Sequence, residues 1–340
     1  MKRDTPGRIL LDHGSGGLAA RELVRGLFLR HLGNPLLDEL EDSAVLDLAG
    51  GRLAFTTDGY VVDPLFFPGG DIGALAIHGT INDLAMRGAA PAALSAAFVL
   101  EEGLETAVLD RVAASMGAAA AAAGVPVVTG DTKVVPRGAA DRLFVTTAGV
   151  GVVPAGVRLG AACIRPGDRI LLSGTIGDHG VTVLTRRAGL ALEGDLRSDT
   201  RPLHRLAAAV LAAAPGGVHA MRDPTRGGLA ETLCELAERA GAAMEIEEAA
   251  VPVRPAVRAA CELLGLDPLY LANEGKCVVV AEPGAAEAVL AAMRATAEGR
   301  GAVAIGRVTE GPPGRVEMRT AVGGRRIVPP LAGDPLPRIC

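Results

Sequence analysis

Tryptophan is absent from these 340 residues, and aromatic side chains make up only 2% of them. The core must therefore be packed from Ala, Val and Leu rather than from large rings. Cysteine is sparse as well. Five residues stand at irregular spacing with no C-x-x-C pair, which argues against a disulfide framework and a structural zinc site. Neither sign of charge forms a long block, and 34 basic against 39 acidic residues leave a net charge of −5. A nucleic-acid or anionic-membrane surface is not expected from that balance. The one long apolar stretch, 112–130, is mostly Ala and Gly, contains Pro126 and changes character at Gly124. A helix followed by a buried strand suits it better than a membrane span. The N-terminus, MKRDTPGRILLDHGSGG, puts charge and glycine where a signal peptide needs an apolar core, so a cytoplasmic location is expected.

What the chain does have is apolar material: 49% hydrophobic residues against 21% charged, with mean hydropathy +0.32. Its length suits two domains. Residues 1–41 hold a glycine loop and then a helical pattern carrying Val24, Leu27, Phe28 and His31. From 42 to 155, strand-like and helix-like runs alternate, and Pro154-Ala155-Gly156 marks a boundary. Residues 156–328 repeat a similar grammar. Regular strand–helix alternation is missing, so two mixed α/β halves of the α+β type with antiparallel pairing are expected. Residues 329–340 form a tail in which Pro329, Pro330, Pro335 and Pro337 favour an extended conformation. At about 3.1 Å per residue the tail spans on the order of 35 Å, enough to carry the Cys340 thiol into a cleft on its own chain or on another protein.

Several segments carry the residue types that chemistry needs. Ile72, Leu75, Ile77, Ile81, Leu84 and Met86 run nearly all round a helix over 72–87, which predicts its burial together with Asn82, Asp83 and a core His78. A buried carboxylate must be paired, here with Arg87 or backbone, or hold a metal. In 125–133 a strand runs into Gly130, and an extended chain puts Asp131 and Lys133 on one side. A surface ion pair and a metal–nucleotide site both use that couple. Asp58 closes the strand 53–57, although Asp-Gly is also an ordinary turn. In 222–229, Pro224 holds Asp223 extended, and Thr225, Arg226, Gly227 and Gly228 open a helix whose free N–H groups suit phosphate. Glu274 precedes the strand 277–280 and reads either as a general base or as a solvated turn residue. No Walker-type loop is present, so a nucleotide must be held in another way.

Taken in order, HGSGG, TTDG at 56–59, IHGTINDLAMRG, VTGDTKVV, SGTIGDHG at 173–180, DPTRGGLAE, NEGK and the C-terminal Pro-Arg-Ile-Cys resemble the hydrogenase maturation factor HypE family. That family belongs to the PurM-like superfamily of aminoimidazole ribonucleotide synthetase and selenophosphate synthetase. The resemblance implies a two-domain fold with mixed, largely antiparallel sheets flanked by helices, a homodimer formed through the N-terminal sheets, and an ATP cleft. It implies that Asp58, Asp83, Asp131 and Asp223 gather round Mg²⁺, with Asn82, Thr225, Arg226, Gly227 and Gly228 beside the nucleotide. The loop His13, Gly14, Ser15, Gly16 and Gly17 would cover it. The implied reaction is ATP-dependent dehydration of an S-carbamoyl group on Cys340 to a thiocyanate, with Glu274 and Lys133 as bases. The product would supply cyanide ligands to the iron of [NiFe]-hydrogenase. The implied partners are a HypF-like carbamoyltransferase and the HypC–HypD complex. Two rival readings are a small-molecule kinase such as selenophosphate synthetase, which usually carries a reactive Cys or selenocysteine beside the glycine loop, a loop that here has Ser15 and no Cys, and a non-catalytic nucleotide-binding scaffold.

Overall fold

Apolar residues recurring with the periods of strand and helix build two sheets joined by one buried helix. The computed structural model describes residues 9–190, 194–333 and 336–340. Short helices α1 (Leu18–Leu23) and α2 (Leu29–Leu32) precede strands β1 (Ala44–Leu48) and β2 (Gly51–Tyr60). A small hairpin follows, β3 (Phe66–Phe67) with β4 (Gly70–Asp71), and then helix α3 (Ile72–Met86). Strand β5 (Ala90–Glu101), helix α4 (Thr106–Ala123) and strands β6 (Val127–Val135) and β7 (Leu143–Val153) complete the first half. The sheet order is β1-β2-β7-β5-β6, with β6 parallel to β5 and the other neighbours antiparallel.

The second half contains β8 (Arg169–Leu172), α5 (Asp178–Arg187), α6 (His204–Ala213), β9 (Val218–Arg222) and α7 (Gly228–Ala240). It continues through β10 (Ala243–Glu247), α8 (Pro255–Leu264), β11 (Val278–Ala281), α9 (Ala286–Ala295), β12 (Val303–Thr309), β13 (Val316–Arg319) and β14 (Arg325–Val328). Its sheet runs β14-β13-β10-β12-β8-β11-β9, antiparallel except for the pair β10–β13. Strand periodicity splits the core across this sheet. Ile170, Leu172, Val278 and Val280 pack with Leu229 and Leu233 of α7, whereas Leu171, Val279 and Ala281 pack with Val210 of α6 and Val289 of α9.

Helix α3 links the halves. Asp71 caps it by accepting from the Gly73 and Ala74 N–H groups at 2.8 and 3.0 Å. Leu75, Ile77 and Ile81 pack into the first core, while Ala85 and Met86 enter the core of the second sheet. The all-round burial expected from its sequence follows from this double contact. His78 bonds the Thr200 hydroxyl at 3.1 Å, and burial lowers its pKa to about 4.

One sequence expectation needs correcting, and another is narrowed. The helical pattern after the glycine loop is interrupted by a π-helical stretch, Val24–Phe28, and Leu27 and Phe28 remain exposed rather than packed on the chain's own core. The tail lies along its own chain and brings Cys340 to a cleft there, one of the two placements its reach allowed. Leu331 is pinned, its N–H donating to Glu231 Oε2 at 2.7 Å and its carbonyl accepting from Leu18 N at 3.0 Å. Beyond it, Leu336 and Ile339 are buried in the first core.

Gly228 shows how tightly the second half is assembled. Its φ is +62°, and a Cβ there would stand 2.5 Å from the Leu269 carbonyl oxygen and 2.6 Å from that of Leu271. Gly228→Ala is expected to cost roughly 2–4 kcal/mol in urea unfolding through backbone strain and the forced shift of that turn. A loss under about 0.5 kcal/mol would show that the turn yields freely.

Candidate active site

The halves meet at a cluster of carboxylates. Asp42 stands just before β1, Asp83 on α3 and Asp223 just after β9, and one carboxylate oxygen from each lies within 4.8 Å of the others. Asp58 faces the same cavity, of about 190 Å³, together with Tyr60, Thr225, Arg226, Glu274 and Cys340. Asp58-Gly59 is no turn, because β2 runs on to Tyr60, whose hydroxyl donates to Asp58 Oδ2 at 3.0 Å. Asp83 does not pair with Arg87, which binds Glu39 and Glu41 at 3.2 and 3.4 Å. It accepts instead from Thr56 Oγ1 at 2.7 Å.

Like charges this close and this dry resist ionisation. Burial, then Asp58, Asp223 and Asp42, hold Asp83 well above the usual carboxylate range. Burial first, and then Asp58 against the opposing pull of Arg222, pushes Asp223 up to about 6. Asp42 is also held high, chiefly by burial, even though Arg222 Nε lies 2.7 Å from its Oδ1. Its other oxygen is buried without a hydrogen-bond partner. Clustered hard oxygens, one of them lacking a donor, fit a divalent cation such as Mg²⁺.

Glu274 is buried at the edge of the cavity, and its Oε1 has no hydrogen-bond partner among the described residues. Burial, with Asp223, Asp199 and Asp58, pushes its carboxyl well above the ordinary range. The backbone that carries it is fixed by Asp199 Oδ1, which accepts from Glu274 N at 3.0 Å. Asn82 supports the same loop, donating to the Arg201 carbonyl at 3.1 Å and the Glu274 carbonyl at 3.4 Å and accepting from Leu203 N at 2.7 Å. Its amide is consumed in scaffolding and does not line the cavity.

The two glycine-rich segments touch. Arg226 Nη1 donates to the Gly14 carbonyl at 3.1 Å, and Gly14, Ser15, Gly227, Arg226 and Cys340 line a second small cavity. Ser15 Oγ braces the loop, donating to Asp12 O at 2.8 Å and accepting from Gly17 N at 3.1 Å. His13 and Gly16 line a neighbouring cavity beside Arg226. Gly17 packs on Leu331 and Gly228 on Leu269–Leu271, so both serve close packing.

Asp131 and Lys133 lie elsewhere. Both are exposed on edge strand β6 and pair with each other at 2.7 Å, which holds Asp131 below the usual carboxylate range. The close approach that Gly130 permits is that of the adjacent strand, since a Cβ would stand 2.3 Å from the Ala96 carbonyl. Pairing in register with β5 fixes this placement. The structure therefore does not bring these two residues to the carboxylates of their own chain.

Residues 40–153 match the family model of the AIR synthase related protein N-terminal domain, and 165–319 match that of its C-terminal domain. Carbamoyl dehydratase HypE of Azotobacter vinelandii is 56% identical over 334 residues, covering 98% of each chain. The chain belongs to the HypE family. A solved HypE structure in complex with ATP is 51% identical, covers 98% of this chain and all of its own, and superposes with TM-score 0.83. HypE in a HypE–HypF complex gives TM-score 0.87 at 43% identity, covering 91% of this chain and 99% of its own.

In this chain, sequence reasoning missed Asp42 and Tyr60 at the cavity and flagged the segment that opens with Arg222 without giving that residue a role. For Asp42 a signal was present: Glu41-Asp42 stands before an apolar strand, as Asp58 stands on one. The folded chain keeps a proton on Asp223 up to about pH 6, against an ordinary value of 3.8. The cation-free protein therefore loses stability as pH rises through that window. Saturating Mg²⁺ is expected to raise the melting temperature by several degrees at about pH 7.5 and by much less at about pH 5. Asp83→Asn and Asp223→Asn should shrink the difference. Equal shifts at both pH values in the parent chain would remove the cluster as a cation site.

Proposed function

We propose that this chain dehydrates an S-carbamoyl group on Cys340 to a thiocyanate at the expense of ATP, making the cyanide precursor for the [NiFe]-hydrogenase iron. The observation that carries this reading is the position of Cys340, which lines the same cavity as Asp58, Asp83, Asp223 and Glu274. The carbamoyl donor on this reading is a HypF-type carbamoyltransferase and the acceptor a HypC–HypD complex. The likeness to the HypE of a HypE–HypF complex supports the first.

The chemistry follows from what a carboxamide lacks. Its oxygen leaves poorly until the γ-phosphoryl of ATP is transferred to it; loss of phosphate and of both N–H protons then gives the nitrile. Overall, R–S–C(O)NH₂ and ATP become R–S–C≡N, ADP, phosphate and a proton. Asp42, Asp58, Asp83 and Asp223 would hold Mg²⁺, which neutralises charge on the transferring phosphoryl group. Arg226 and the N–H groups round Gly227 and Gly14 face the remaining phosphate charge. Glu274 is the base for the nitrogen, since a carboxylate whose proton affinity is raised by burial accepts a proton readily.

On this reading Asp131 and Lys133 act across a dimer. The first sheet leaves Phe55, Val128, Val134 and Val152 exposed, and β6 offers an unpaired edge. Sheet-to-sheet association there would bring the couple to a second copy's cleft, where Lys133 supplies the other base.

Glu274→Gln and Lys133→Ala are each expected to slow dehydration by roughly 10²–10⁴-fold, leaving the carbamoyl adduct in the intact-mass spectrum, heavier than the product by one water. Unfolded, remixed dimers of the two variants should recover about a quarter of parental activity, because one heterodimer site holds both native bases. No recovery on mixing would place Lys133 outside the partner's cleft. Normal cyanation in both variants would overturn the assignment of bases.

A further inference from the structure

Helix α5, opened by the SGTIGDHG segment, carries two side chains that the cleft chemistry leaves without a role. His179 lies in its first turn and Arg187 at its last residue, and both meet the docked tail. Arg187 directs its donors at carbonyls: Nη1 to Pro337 O and Nη2 to Arg338 O, each at 2.6 Å, and Nε to Asp63 O at 2.7 Å. His179 is fully buried, with Nε2 at 2.8 Å from the Ile339 carbonyl and Nδ1 at 2.8 Å from Ser198 Oγ. A carbonyl only accepts, so these partners assign the proton to Nε2 and make Ser198 the donor to Nδ1.

The facing wall is the chain just after β2. Val61 N–H donates to the Cys340 carbonyl at 2.9 Å and Asp63 N–H to that of Arg338 at 3.2 Å. Arg338 Nε returns a bond to Val61 O at 2.7 Å, and its guanidinium pairs with Asp141 at 2.5 Å. Arg338 is held at φ 55°, a conformation non-glycine residues adopt under constraint. Each carbonyl from Pro337 to Cys340 thus meets a fixed donor, while Leu336 and Ile339 are buried. A slip of one residue would pull Ile339 from its pocket and misplace every one of these bonds. The pattern is that of main-chain peptide recognition with side-chain pockets setting register.

We propose that Arg187 and His179 are positioning residues: with Val61–Asp63 they form a main-chain receptor that holds 337–340 in the one register presenting Cys340 to the carboxylate cavity. The proposal rests on the reading of Cys340 as the carbamoyl carrier, and its test separates the two.

In the full-length chain, without ATP, the rate at which a maleimide labels Cys340 is read on the C-terminal peptide by mass spectrometry. In parallel, the carbamoylated chain gives kcat and the KM for ATP. Arg187→Ala and His179→Ala should label about tenfold faster and dehydrate about tenfold more slowly, with the KM for ATP within about twofold. Arg187→Lys and His179→Gln, which keep a donor, should recover part of both effects and carry the test if the alanine variants fail to fold. Unchanged labelling in folded variants overturns the receptor. Faster labelling with unchanged kcat overturns the positioning role. If the parent chain labels as expected and its variants respond, yet it never dehydrates, the receptor stands and the carbamoyl reading falls.

Discussion

Carboxylates repel one another most where water is scarce, and this fold drives Asp42, Asp83 and Asp223 together in such a place. Each comes from an element that has its own reason to be there. The apolar surface of α3 buries Asp83 between two sheets, β1 begins beside Asp42, and Pro224 keeps Asp223 extended after β9. Neither half alone supplies the cluster. A cation that relieved the repulsion would therefore also bond the halves, and binding at the site would share its source with cohesion of the fold.

The features legible in the sequence were those written in periodicity. The apolar circumference of α3 announced its burial, and the continuous apolar run Val278–Ala281 announced a strand. Chemistry written in local motifs was legible where the motif stays local. Asp58, Asp83, Asp223, Arg226 and Glu274 reach one cavity from the segments that flagged them. What sequence could not give was lateral placement. Asp131 and Lys133 have the right chemistry, but pairing of β6 beside β5 carries them to an outer edge. Asn82 neighbours Asp83, yet a turn of 100° per residue aims it at the 201–203 backbone. Asp42 escaped notice because acids before a strand look like any solvated loop, and only the likeness of Glu41-Asp42 to Asp58 set them apart.

The tail illustrates a different limit. Its prolines suggested extension, but the end of the tail bends, with Arg338 at φ 55°, and it docks because its carbonyls find donors. Those donors come from α5 and from the chain after β2, far apart in sequence. A tethered segment also gains effective concentration, so bonds that would hold a separate peptide weakly can dock it.

Leu331 is gripped on both backbone atoms, by Glu231 and by Leu18, so the tail is anchored there rather than at Pro329. Residues 332–340 fully stretched span roughly 30 Å, less than a tail hinged at Pro329 would reach. On the proposed reading, any protein trading a group with Cys340 would have to bring its own pocket inside that radius, and visitors confined to so narrow a circle would have to take turns.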